Sequence, residues 1–431
     1  MQDGIIHLLR RAAELRGEGP DSGWDWIVQE PAFASLLPLI YYSVPDAILP
    51  LSEAARERCA QAYYQTVACN LCLYRELGSV LEALRDAEIP VIILKGAALA
   101  VTLYPNIGLR PIGDVDLLVP QARLSEALAC LKALGYIEPI PDVAPGLNRV
   151  VGHHVSLGGG KDIPLHVEVH WTLAAGGHDR HAPSMAWFWQ QTEPLTLGPG
   201  AEEPGSGGEL ALLLTLTPTA HLLYLAAHLI FQHGGALTNC LASWKGTSTP
   251  SQQAGEIVCH QFQLLWLYDI DLMVRREADR LDWDELLHRA QEFRWAAALH
   301  ATLQCAQDRF GTPLPQGFLD ALAEVSDHRS AHLVERKVGP LQTRALRVRN
   351  AMSALDWQAR LRLASAIAFP SPTYMRWRYL SRFRAPLRSL LWPLCYPYRW
   401  LVILREGLST ALKLALRGSR NRAGGKEGTP R

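Results

Sequence analysis

The chain has 431 residues, with 42 lysines and arginines balanced by 42 aspartates and glutamates. That balance excludes a general electrostatic pull toward nucleic acid. The 48% hydrophobic content supplies enough apolar material for cores in two or three domains.

The amino terminus, Met1-Gln2-Asp3-Gly4, lacks a basic region followed by an apolar stretch and a small-residue cleavage site, so no secretory leader and a cytoplasmic location are expected. Residues 1–88 carry Leu, Ala and Tyr at helical spacing with breaks at 17–23 and 45–50, which predicts several helices forming one lobe of a cleft. Cys69-x-x-Cys72 falls inside the long helical pattern over 52–87. A thioredoxin-like motif would open a helix just after a strand, so both cysteines are expected to be buried helix residues. The eight cysteines are scattered and suggest a reducing compartment rather than a disulfide framework.

A β-branched run at 91–94 then leads through Lys95-Gly96 into a helical stretch, 97–104, and a Pro/Gly loop containing Arg110-Pro111 and Gly113. A glycine opening that helix lets the backbone approach a phosphate, and the first helical N–H groups offer an anion site flanked by the positive charges of Lys95 and Arg110. The loop ends in Asp114-Val115-Asp116-Leu117-Leu118-Val119. Side chains alternate along a strand, so Asp114 and Asp116 are expected on one face and Val115 and Leu117 in the core. Two adjacent carboxylates repel, and a divalent cation relieves that repulsion.

Leucines at helical spacing predict a helix over 121–134, capped by Gly135, with a strand near Tyr136. The strand at 164–171 alternates, with His166, Glu168 and His170 on one face and Val167, Val169 and Trp171 on the other. Glu168 is thus a candidate third carboxylate. His153, His154, His166 and His170 lie close in sequence and are candidate acceptor or substrate contacts. They also raise a rival zinc reading through His166-x-Glu168-x-His170, which matches no helical His-Glu-x-x-His pattern.

Gly-rich residues 197–208 read as a flexible linker and 246–255 as a second loop. Between them, His221, His228 and His233 lie on an apolar helix, the first two sharing a face. Residues 264–276 predict a core helix in which Asp269 either meets one of those histidines or caps the packing. The segments 374–388 and 390–404 mix Arg with Tyr, Trp, Phe and Leu. Contact with an anionic membrane surface is one reading, and a helix pair packing its aromatics with solvated arginines is the other. Pro393 and Arg399 interrupt any spanning stretch, and the Ser/Arg/Gly/Lys tail beyond 417 reads as disordered.

Leu94-Lys95-Gly96, Arg110-Pro111, Gly113 to Val119 and Glu168-Val169-His170-Trp171 together resemble the uncharacterised bacterial nucleotidyltransferases of the DNA polymerase beta superfamily. The resemblance is firm over roughly residues 85–175 and weaker through 264–269 and 369–372. It implies an α+β fold with a small mixed-sheet nucleotidyltransferase core at 89–196. An N-terminal helical lobe at 1–88, a helical domain at 209–330 and C-terminal helices with a basic aromatic tail at 331–431 would flank that core. It implies Asp114 and Asp116 as a metal-binding pair with Glu168 as third acidic residue, ligand or general base. Lys95, Gly96 and Arg110 are expected at the nucleotide phosphates. The wider superfamily has Gly-Ser or Gly-Gly where this chain has Lys95-Gly96, so this turn offers no hydroxyl.

The implied reaction moves an NMP group from a nucleoside triphosphate such as ATP to a small-molecule, peptide or saccharide acceptor, with two Mg2+ ions (or Mn2+) at the carboxylates. A biosynthetic setting is implied, and no RNA-binding signature points to a nucleic-acid acceptor. The competing classes are a non-catalytic nucleotide- or partner-binding relative and a peripheral scaffold at the inner face of the membrane.

Overall fold

The computed structural model describes residues 2–16, 23–161, 163–173, 183–197, 213–243, 254–328, 331, 334, 352, 355–406 and 409. Two compact units divide the chain: Met1–Glu138, His154–Ala174 and His181–Pro340 form the first, and Pro139–His153, Ala175–Arg180 and Leu341–Arg431 the second. The segments that sequence patterning separates at 88 and 209 therefore lie in one unit. The linker read at 197–208 and the loop at 246–255 fall outside the described residues, except Leu197 and the start of a helix at Ala254. The tail beyond 417 lies outside them too.

In the first unit, helices α1 (Gln2–Arg16) and α2 (Leu37–Ser43) precede α3 (Glu53–Asp86). The Ser52 hydroxyl accepts from the Ala55 N–H at 3.3 Å and satisfies one of the donors left over at the start of α3. Strand β1 (Val91–Leu94) is followed directly by α4 (Lys95–Thr102), then β2 (Val115–Leu118) and α5 (Leu124–Ala133), which ends before Gly135 at φ +93°. The strand expected near Tyr136 is a single bridge between Ile137 and Gly158. Helix α6 (Leu147–Val151) belongs to the second unit.

Strands β3 (His154–Gly159), β4 (Leu165–His170), β5 (Thr192–Pro194) and β6 (Leu213–Leu216) complete a six-stranded mixed sheet in the order β3-β4-β2-β1-β6-β5. Antiparallel β1/β2 and parallel β2/β4 pairs form its centre. Around the sheet lie α7 (Met185–Gln190), α8 (Pro218–Ser243), α9 (Ala254–Arg276), α10 (Trp283–Glu292), α11 (Ala296–Phe310) and α12 (Phe318–Val325). The architecture is α+β.

The period of two along each strand sorts the sheet into two faces. Val91, Ile93, Val115, Leu117, Val167 and Val169 pack with Leu77 and Leu84 of α3 and Leu124 and Leu131 of α5. Ile92, Leu94 and Leu118 pack instead with Leu222, Leu223 and Tyr224 of α8 and Leu264 and Tyr268 of α9. Asp116, Glu168 and His170 are out of phase with the first group, so they stand on the face toward α8. The face covered by α3 and α5 is largely apolar, whereas the other combines a core with a polar site.

The expectation that Cys69 and Cys72 are both buried needs correction: Cys69 is exposed and Cys72 half-buried on α3. Both thiols are free. They lie on the side of a 34-residue helix, where one flank meets solvent even when its opposite flank is core.

His221 on α8 is buried, and its Nε2 has no hydrogen-bond partner among the described residues. Burial, reinforced by the charge of Arg110, pushes its pKa down to about 3. With the folded value below the unfolded one of about 6.5, His221 costs nothing at pH 7, and stability falls as the pH drops below about 6.5 toward 3. At pH 5 the expected loss is about 2 kcal/mol, at ~1.4 kcal/mol per pKa unit. Urea titrations at pH 7 and pH 5 should show His221→Leu losing less stability between the two than the wild type. Equal losses would place the acid sensitivity elsewhere.

The second unit contains α6, α13 (Trp357–Ala368), α14 (Pro372–Leu380) and α15 (Ala385–Leu391). Leu147 packs with Leu355, Ala359 and Leu363, while Tyr374, Met375, Leu380 and Cys395 form another small cluster. Buried Arg399 donates to the Ile367 carbonyl at 2.9 Å, and the Tyr396 hydroxyl donates to the Pro370 carbonyl at 2.6 Å. No helix among the described residues is long and apolar enough to cross a membrane.

Candidate active site

The site is assembled by strand register. In the parallel β2/β4 pair Asp116 lies opposite Glu168, and in the antiparallel β3/β4 pair Glu168 lies opposite Ser156 and His170 opposite His154. Neighbouring strands lie about 4.8 Å apart, so residues in one such row share a pocket. Asp116, Glu168 and His170 each offer a ligand atom, and those atoms lie within 4.8 Å of one another.

His170 Nε2 is 2.9 Å from Asp116 Oδ1 and 3.4 Å from Glu168 Oε2. Lys95 Nζ is 2.6 Å from the same Asp116 oxygen. Burial alone would raise the Asp116 pKa, but the Lys95 charge and the His170 hydrogen bond hold it well below the usual carboxylate range. Burial likewise opposes protonation of His170, yet its bonds to Asp116 and Glu168 raise its pKa overall. Burial would raise Glu168, but the His170 hydrogen bond together with the His154 and Lys95 charges lowers it overall. Its Oε1 faces His154 Nε2 at 3.3 Å and accepts from the Ser156 hydroxyl at 3.4 Å. Burial pushes His154 down to about 4, which leaves it neutral at pH 7.

Asp114 sits one residue before β2 and is exposed as a residue, although protein crowds its carboxyl. That crowding, followed by the Asp116 charge, pushes its pKa up to about 6. The close group of Asp116, Glu168 and His170 does not include it. His166 is exposed on the same face of β4 and also lies outside that group, and His153 belongs to the second unit.

Lys95 has a left-handed backbone, φ +46°, at the junction of β1 and α4. Such a conformation costs a non-glycine residue on the order of 1–3 kcal/mol and persists only where the surroundings enforce it. Here Lys95 Nζ is also 3.1 Å from His228 Nε2 on α8. Burial and then the Lys95 charge push His228 well below its ordinary pKa, so the neutral imidazole accepts from the ammonium group. Burial would lower Lys95, but Asp116 together with Tyr224, Asp114 and Glu168 raises it overall. His233, pushed down to about 4 by burial and by Lys95, packs on Trp266 with ring centroids 4.4 Å apart. The Tyr224 hydroxyl, buried on the same helix, has no hydrogen-bond partner among the described residues.

Arg110 lies beneath this site. Its guanidinium is buried in a two-pronged pair with Asp269 of α9, Nε to Oδ1 at 3.0 Å and Nη2 to Oδ2 at 2.7 Å, and Tyr104 donates to Asp269 Oδ1 at 2.7 Å. Asp269 therefore meets this arginine rather than a histidine of α8. A Cβ on Gly96 would lie 2.5 Å from Arg110 Nη1. Because Asp269 pins that guanidinium, Gly96→Ala should destabilise by about 1–3 kcal/mol through overpacking, more than the ~1 kcal/mol that alanine gains within a helix. A urea midpoint at or above wild type would show that Arg110 yields freely.

The profile of the uncharacterised nucleotidyltransferase family matches residues 20–311, more than half of the chain. The chain belongs to this family. The nucleotidyltransferase match takes in the whole sheet and α2 to α11, and so every residue of the pocket just described, and it stops before α12 and the helices beyond Leu355. No curated protein and no solved structure matches the chain.

Sequence patterning brings out Lys95, Asp116, Glu168 and His170, which share this pocket. The role of Ser156 carries no sequence signal, because β3 holds Gly158 and Gly159 and lacks strand-like composition. His228 is visible only as one member of a histidine cluster. An open cavity of about 530 Å³ lined by Arg275, Arg276, Trp283 and Pro313 shares no residue with the pocket.

Proposed function

We propose that the protein is a metal-dependent nucleotidyltransferase that moves an NMP group from a nucleoside triphosphate to a hydroxyl-bearing small-molecule, peptide or saccharide acceptor. The observation that carries this reading is the register of β2 and β4, which sets Asp116 opposite Glu168 beside Lys95. The donor set suits a divalent cation: the carboxylate oxygens of Asp116 and Glu168 favour Mg2+ or Mn2+. Asp116 and Glu168 would hold the ion, with Asp114 at the rim adding a further oxygen. When bound, Mg2+ neutralises charge on phosphoryl oxygens and orients them for in-line displacement.

The chain's own groups divide the remaining work. Lys95, steadied by the neutral His228, supplies a fixed positive charge at the mouth of α4, where the leading N–H groups receive phosphate oxygens. Gly96 lets the start of α4 close on the Arg110 guanidinium, where a Cβ would lie 2.5 Å from Nη1. Arg110 acts from behind, through Asp269 and Gly96, as a positioning residue. His154 and Ser156 line the side of Glu168 away from Asp116, where an acceptor hydroxyl can be held.

The direct test incubates the protein with each α-labelled nucleoside triphosphate, Mg2+ and a pool of small metabolites, alongside Asp116→Asn. Transfer of label only by the intact protein supports the reading and names the nucleotide. Binding of nucleotide with no transfer by either protein, across all four nucleotides and both Mg2+ and Mn2+, would favour the non-catalytic relative.

A further inference from the structure

Residues 374–406 contain seven arginines, no lysine and one acidic residue, Glu406. They are helical over α14 and α15, continue through a tight turn at Trp392–Leu394 and run helically over 395–406. From α15 onward, Leu387, Leu390, Leu394, Tyr398, Leu401 and Leu404 recur every three or four residues, the spacing of one helical face. All six are exposed, from 47% at Leu387 to 73% at Leu390. The opposite side contributes buried Cys395 and Arg399 to the small core of the unit. α15 has no residue described as buried, although its sequence is Ala-Pro-Leu-Arg-Ser-Leu-Leu.

An exposed apolar series at this spacing marks an interaction surface. We propose that it docks on the surface of an anionic phospholipid bilayer, lying in the interface without crossing it. Charge selects this partner. Arg378, Arg382, Arg384, Arg388 and Arg405 are exposed around the stripe, and of the acidic side chains in this segment there is only Glu406. A two-fold contact with a second copy would set this cationic face against itself, whereas anionic headgroups attract it. Trp377, Tyr398 and Trp400 are also exposed, and amphipathic rings of this kind settle at headgroup depth. The absence of any membrane-crossing helix among the described residues fits a helix that rests in the plane.

The test is co-sedimentation of the full chain with vesicles of phosphatidylcholine alone and of phosphatidylcholine with about one-third phosphatidylglycerol, at low and high salt. Anionic vesicles are expected to bind at least about tenfold more protein than neutral ones, with the excess shrinking as salt screens it. The combined variant Leu390→Glu, Leu394→Glu, Leu401→Glu should lose about tenfold or more of that partition. Arg384→Gln, Arg388→Gln, Arg405→Gln keeps the apolar face and should abolish the preference for anionic vesicles. Equal partition onto both vesicle types, no partition, or unchanged binding by the leucine variant would overturn the proposal. So would a dimer, seen by light scattering without lipid, that the leucine variant converts to monomer.

Discussion

Asp116→Asn is expected to lower nucleotidyl transfer by about 10³-fold or more while leaving a folded protein. The substitution keeps the shape of the side chain and removes one negative charge at the point where Lys95 and His170 converge. A cation site built on Asp116 and Glu168 loses half of its carboxylate charge, and metal stabilisation of a phosphoryl transition state is worth several kcal/mol. About 4 kcal/mol corresponds to a factor of about 10³ in rate. The amide oxygen still accepts from either Lys95 or His170, so the fold is expected to lose only about 1–3 kcal/mol. Transfer of label from an α-labelled triphosphate to the acceptor, measured beside a thermal melt, separates the two effects. A folded variant retaining more than about a tenth of the wild-type rate would show that Asp116 does not hold the reacting phosphates.

How far the site was legible from sequence follows from which groups are near one another along the chain. Asp116 and Glu168 are 52 positions apart, yet each announces itself through strand alternation, because Val115 and Leu117, and Val167 and Val169, occupy the buried phase. Their juxtaposition is a matter of β2/β4 register, which one sequence does not specify. Asp114 illustrates the limit. Alternation places it on the face of Asp116, but β2 begins at Val115, and outside the ladder its carboxyl stays apart from the close group. Strand β6 escaped the pattern because Leu213-Leu214-Thr215-Leu216 precedes Pro218 and looks like the approach to a helix. The contacts from α8 were hidden for a different reason. A histidine on an apolar helix looks the same whether it is core, like His221, or reaches a distant lysine, like His228.

Arg110 shows how the loop between α4 and β2 is fixed, and its replacement should have the largest effect on stability of any change at this site. Arg110→Met leaves the Asp269 carboxylate buried, with the Tyr104 hydroxyl as its one remaining side-chain hydrogen-bond donor among the described residues. Breaking a buried pair from one side costs about 3–5 kcal/mol, because the remaining charge is uncompensated. Asp269→Leu should cost a similar amount, since burial of the Arg110 guanidinium is then unopposed. If the pair is what matters, the double variant Arg110→Met/Asp269→Leu recovers most of the loss, as buried ion pairs often do when both partners are replaced by apolar groups. Urea unfolding of the four proteins at pH 7 gives the coupling directly. Additive losses in the double variant would mean that the two residues act independently. Activity divides the roles further. Gly96 packs on the Arg110 guanidinium, and Asn70 holds the Arg110 carbonyl at 2.8 Å, so the pair positions the start of α4 on one side and the approach to Asp114 on the other. A double variant that is stable but slow, with a raised KM for the triphosphate, would locate the contribution of Arg110 in that positioning. Wild-type kinetics in the stable double variant would confine it to the fold.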